Sequence, residues 1–245
     1  MNYKKYKLNY IESVFSVILW LLISSVLALF FYRSVIAAGI LMLFYPLFRS
    51  YLKRILQERR DWTIELEFKE MIRILAVNLQ SGYSAENAFV NTYYEMKNLF
   101  PKKSIMTLEC EEIVKGLNNN VTIENLVNSL GDRSGNKEIE DFASIFAIAK
   151  RSGGNLKEII LDTVDVIDSK IEMKREFRIL ISSKQFEHRI MCVIPFVILS
   201  YISFTSPGYF DVLYKNLFGV TVMSICLTVY VGAFLWGENT INIKM

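Results

Sequence analysis

The chain has 245 residues, is 52% hydrophobic and carries a formal net charge of +3, and the placing of its apolar residues excludes a wholly soluble protein. Positions 61–188 hold 21 acidic and 16 basic side chains, net −5, whereas the rest of the chain holds 12 basic and 4 acidic, net +8. A nucleic-acid binder needs a basic face for phosphates, so the acidic middle argues against that class.

Ser13 to Tyr32 contains no charge in 20 positions, enough to cross a hydrocarbon core of about 30 Å at about 1.5 Å per residue. Lys4, Lys5 and Lys7 precede it. The apolar run is longer than a signal core and lacks a small-residue cleavage site, so it reads as a retained span. Ser34 to Phe48, 15 uncharged residues, predicts a second span turning back at Arg33. Arg49, Lys53, Arg54, Arg59 and Arg60 follow. Basic residues on both flanks place both sides of this hairpin in the cytoplasm, which requires the return crossing.

From Asp61 to Gln80, the residues Ile64, Phe68, Met71, Ile72, Leu75 and Leu79 make a helical stripe, with Glu65, Lys69 and Arg73 on another side. Gly82 ends this helix and Ser84 caps the next, which carries Ala85, Ala88 and Phe89 toward Phe100-Pro101. A third helix begins near Ser104 with Ile105, Leu108, Ile113 and Leu117 and meets the polar run Asn118 to Asn120. Thr122 is expected to cap a fourth, closed by Gly131, with Asp132 to Asn136 as a loop. The fifth bears Ile139, Phe142, Phe146 and Ala149 on one side and is stopped by Gly153-Gly154.

Asn155 can cap the sixth helix, whose stripe is Leu156, Ile160, Val164, Ile167 and Ile171. Nothing breaks it before Pro195, so it can continue into a third span, Ile190 to Ser206, 17 uncharged residues. Thr205-Ser206-Pro207-Gly208-Tyr209 marks an outer turn, and Leu217 to Trp236, 20 uncharged residues, is the last span. No alternating strand pattern is found. The expectation is an all-α polytopic membrane protein with four transmembrane helices and a six-helix cytoplasmic bundle. Residues 1–60 form an N-terminal hairpin with basic flanks, 61–188 the cytoplasmic domain and 189–245 a C-terminal hairpin, with both termini cytoplasmic.

Catalytic chemistry is not legible. His188 is the one histidine, so a His-based triad or multi-His metal site is excluded, and an interfacial packing role is the simpler reading. Gly153-Gly154 lacks the Gly-Lys-Ser/Thr ending of a phosphate loop. Cys110, Cys192 and Cys226 lack paired metal spacing and read as reduced packing residues. Two carboxylate groups, Glu109 with Glu111 and Glu112, and Asp162 with Asp165, Asp168 and Glu172, read as solvated faces, an acidic partner-binding face being the sharper alternative. No charge lies inside the expected spans, which argues against a proton relay or charged-substrate path.

The order of motifs resembles the type II secretion system F family, the inner-membrane platform proteins of secretion systems and of type IV or tight-adherence pili. Ile72-Arg73-Ile74-Leu75 leading to Ser81-Gly82-Tyr83-Ser84-Ala85-Glu86 is similar to the family's leucine-rich helix, glycine turn and second helix. Gly116-Leu117 leads a loop into a short helix, and Arg151-Ser152-Gly153-Gly154-Asn155-Leu156 is similar to its glycine-centred turn before a long helix. Pro195 in a span and Pro207-Gly208-Tyr209 in an outer loop complete the order. Two spans before the domain and two after are similar to the tight-adherence branch, although a second copy of the helical domain, present in longer members, is lacking.

The resemblance implies a non-enzymatic scaffold without a cofactor in the cell membrane. It couples a cytoplasmic hexameric assembly ATPase to insertion or extraction of pilin-like subunits from the lipid bilayer, alongside other platform subunits in a homo- or hetero-oligomer. Gly82, Glu86, Arg151, Gly153, Gly154 and Asn155 match the family's two turns and are the candidate partner-binding or hinge residues. A transporter subunit, or a receptor or regulator with a helical partner-binding domain, is the alternative reading of the residues.

Overall fold

The computed structural model describes residues 3, 10–32, 34–100, 104–151, 156–206, 208–209, 214 and 217–241. Among them it is all-helical: α1 Tyr10–Phe31, α2 Val35–Met42, α3 Tyr45–Gln80, α4 Ala85–Leu99, α5 Ile105–Asn118, α6 Ile123–Ser134, α7 Lys137–Arg151, α8 Leu156–Thr205 and α9 Leu217–Ile241. The chain divides into two compact units, one of residues 1–7 and 54–173, the other of 8–53 and 174–245.

In the first unit one core draws buried residues from α3 to α8. The predicted stripe of α3 holds without exception: Ile64, Phe68, Met71, Ile72, Leu75 and Leu79 are all at most 5% exposed. Phe68 meets Phe142 edge-on at 5.5 Å and Phe89 meets Phe146 at 5.7 Å, which locks α3 and α4 onto α7. Each such ring contributes about 1.5–3 kcal/mol by leaving water. Lys69 belongs to the other predicted side of α3, yet it is buried. Its Nζ lies 3.1 Å from Asp168 and 3.0 Å from Glu172 on α8.

Three turns follow from backbone chemistry. Gly82 has φ 88°, its N–H donates to Leu79 O and Tyr83 N–H donates to Asn78 O, a left-handed closure that satisfies the last carbonyls of α3. Asn120, φ 60°, does the same for α5, with Asn120 N–H on Leu117 O and Val121 N–H on Gly116 O. Ser84 and Ser104 cap α4 and α5, accepting from Asn87 N and Thr107 N. Thr122 stands at the start of α6 but makes no side-chain capping bond, its backbone carbonyl taking that place.

The fourth predicted helix ends later than its sequence indicates. Gly131 does not close α6, and Asp132–Ser134 are helical rather than loop; Gly135, φ 64°, makes the turn. The reason is packing. A Cβ on Gly131 would stand 3.0 Å from Ala143 Cβ and 3.4 Å from Glu140 Cα, so the glycine lets α6 lie close on α7. Asn136 then caps α7 by accepting from Glu138 N at 2.9 Å.

Tyr3 belongs to this unit although it precedes α1 in sequence. Its hydroxyl donates to Glu109 at 2.7 Å, its N–H donates to Arg133 O at 3.0 Å, and its carbonyl accepts from Arg60. Arg133 also pairs with Glu109, whose side chain is only 3% exposed, so Glu109 is not part of a solvated face. Burial, then the Glu109 contact, hold the Tyr3 phenol far above its ordinary range.

Among the described residues, three helices are long and apolar enough to cross a membrane, Tyr10–Phe31, Leu156–Thr205 and Phe218–Thr240. The single span expected over Ser34 to Phe48 is not one helix. Residues 35–42 form eight-residue α2, Leu43 and Phe44 turn, and α3 starts at Tyr45. Pro46 is the cause: it has no N–H to bond back, and its ring would strike the carbonyl of Met42. Beside it the Ser16 and Tyr45 hydroxyls meet at 3.1 Å, and at the other end of α1 the Tyr32 and Ser224 hydroxyls meet at 2.8 Å. Tyr214 donates to Phe30 O at 2.7 Å, and His188 stacks on Phe234 at 5.7 Å.

Candidate partner-binding face

Two of the motifs that sequence order alone connects are neighbours in space. The α3–α4 turn carries Gly82, with Glu86 in the first turn of α4; α7 ends in Lys150 and Arg151; α8 begins at Leu156. Lys150 Nζ meets Glu86 Oε1 at 2.7 Å across 64 residues of sequence. Lys157 Nζ donates to the carbonyl of Gln80 at 3.1 Å. The ends of α3 and α7 and the starts of α4 and α8 therefore form one face of the helical unit.

The pairing suits the helix ends it joins. Glu86 is at a helix N-terminus, where negative charge is stabilised, and Lys150 at a C-terminus, where positive charge is. The Lys150 hydrogen bond holds the Glu86 carboxyl below the usual carboxylate range, with its own backbone amide helping. Beneath the pair lies the Phe89–Phe146 contact, which fixes the spacing of α4 and α7.

Of the predicted site residues, Gly82 and Arg151 are exposed and Glu86 is half-exposed in its ion pair. Gly153, Gly154 and Asn155 lie outside the described residues. Lys150 and Lys157 are the residues that sequence reading does not select: nothing local marks a lysine that will reach another helix end. Exposed apolar side chains accompany this region, Tyr83 on the turn itself and Ile148 one turn before Arg151.

The acidic residues of α8 are split by the fold. Asp168 and Glu172 are engaged by Lys69, and Asp168 also by Arg73 at 2.9 Å. Burial works against the Lys69 charge, but its bonds to Glu172 and Asp168 outweigh that and raise its pKa. Glu111 and Glu112 pair on the surface with Lys115.

A family model described as type II secretion system (T2SS), protein F, matches residues 71–204, more than half of the chain. The chain belongs to the protein F family. The match begins in the core stripe of α3, takes in Gly82, Glu86 and Arg151, and ends at the last turn of α8. No curated protein and no solved structure matches the chain. As a protein F family member it is a membrane platform protein of the kind found in type II secretion and type IV pilus machines. Such proteins are structural components of those machines rather than enzymes.

Proposed function

We propose that this chain is the platform that couples a cytoplasmic assembly ATPase to the insertion or extraction of pilin-like subunits, in a tight-adherence-like pilus or a type II secretion machine. The observation that carries the reading is the protein F match over residues 71–204, which contains the paired-turn face. In this reading the face around Gly82, Glu86, Lys150 and Arg151 receives the ATPase in the cytoplasm. The length of α8, which carries Leu156 at one end and an apolar stretch at the other, suits it to pass displacement toward the bilayer, because a continuous helix is a stiff rod. The six helices α3 to α8 form the cytoplasmic body, α2 and the start of α3 together make the fourth crossing, and both termini are cytoplasmic.

The test is co-purification from native membranes with Arg151→Glu as the probe. The wild-type chain is expected to elute with a hexameric ATPase and the variant to lose it at equal membrane abundance. Unchanged ATPase recovery in the variant removes Arg151 from the interface. Absence of any ATPase from the wild-type complex removes the coupling role.

A further inference from the structure

The acidic cluster on α8 leaves a remainder that the paired-turn face does not use. Asp168 and Glu172 are satisfied inside the unit by Lys69 and Arg73, whereas Asp162 and Asp165 point outward and are exposed. At about 100° per residue, Asp165, Ser169 and Asp162 fall along one edge of the outer face of α8. Ile159, Val166 and Met173, seven residues apart, fall along the adjoining edge. These three are 37%, 57% and 57% exposed, on a helix whose opposite side buries Ile160, Val164, Ile167 and Ile171 completely or nearly so. The strip from position 159 to 173 is about 21 Å long.

We infer that this strip docks an amphipathic helix of a partner, one that sets Lys or Arg beside an apolar seam of seven-residue spacing. Charge selects that occupant. An anionic bilayer surface would be repelled by Asp162 and Asp165. A second copy of α8 fits neither way round: antiparallel pairing sets carboxylates against carboxylates, and parallel pairing sets them against the apolar edge. A basic amphipathic helix instead covers the three apolar side chains and places its cations on the acidic edge, the helix-on-helix mode in which apolar anchors supply affinity and charges set register.

The experiment places a photo-crosslinking amino acid at position 166 of the full chain in native membranes and identifies the peptide it captures. The expected adduct is a helical segment of another protein with apolar residues at seven-residue spacing and Lys or Arg beside them. Its yield should fall several-fold with Asp162→Lys plus Asp165→Lys, and also when salt is raised without any substitution. An adduct with a second copy, with lipid or with a segment lacking basic residues overturns the inference. So does the lack of an adduct, or a yield indifferent to both charge reversal and salt. The inference is independent of the platform reading, since the chemistry of the captured segment tests the strip and the identity of its protein tests the coupling role.

Discussion

Lys150 and Glu86 show how a single contact joins two motifs that are otherwise only an order along the chain. The pair is 2.7 Å apart and partly exposed, 27% and 44%, so its stabilisation is about 0.5 kcal/mol. Glu86→Lys or Lys150→Glu is expected to lower the thermal midpoint of the purified protein slightly, and the double swap to restore most of the loss. A swap no better than the sum of the single changes would show that the two charges do not interact. Because the Glu86 pKa is lowered on folding, its contribution is present above the ordinary carboxylate range and is lost as pH falls through the folded value. Glu86→Gln should therefore flatten the acid limb of stability measured below about pH 5. Cys110 is a second residue-scale case. It is fully buried on α5, and burial, with Glu109 beside it, pushes the thiol up to about 12. At pH 8 it is a thiol without access to reagent. A variant in which Cys192 and Cys226 are serine should stay unlabelled by maleimide when folded and become labelled in denaturant; labelling of the folded form would show that α5 is not packed as described.

Helices α6 and α7 carry the lesson of the element scale, because glycine means two different things within five residues. Gly135 turns the chain at φ 64°, while Gly131 sits inside α6 and admits Ala143. Both read alike in sequence. Gly131→Ala improves helix propensity by up to about 1 kcal/mol, but its methyl would stand at 3.0 Å from Ala143 Cβ with the Glu140 backbone behind it. Overpacking of this kind costs about 1–3 kcal/mol, so the variant is expected to be less stable in urea or heat, and Ala143→Gly added to it should recover part of the loss. A Gly131→Ala protein as stable as the parent would show that α6 can move away from α7. Pro46 is the matching case in the membrane unit. An uncharged run predicts a span, but one ring without an N–H divides it into α2 and α3.

At the scale of the whole molecule, the function proposed for this protein F family member depends on α8 carrying motion along its 50 residues. Two glycines inserted after Lys174 should leave the chain in the membrane at normal abundance and abolish pilus or pseudopilus assembly, scored by surface filaments or secreted cargo. Full assembly by that variant would exclude a rigid-rod role for α8. The Tyr3 contacts bear on the same scale. The residue precedes the first span yet is buried in the helical unit, where its phenol bonds Glu109, so Tyr3 is part of that unit's packing.

Sequence by itself determined the helical class, most helix starts and the core stripes, because those depend on local spacing: a period of 3.6 residues, a capping serine or a glycine at positive φ acts within a few positions. It also carried the family, through the order of its turns from Ile72 to Leu156, which lie within the matched residues 71–204. Tertiary structure alone decided which charges are tied to another part of the fold and which stay on the surface of their own helix. Lys69, Glu109 and Asp168 have no local mark separating them from Arg54, Glu112 and Asp162, since a carboxylate's state depends on what another helix brings to it. The same holds for Gly131, whose role is set by Ala143, and for the face at Gly82 and Arg151, which exists because Glu86 and Lys150 meet across 64 residues.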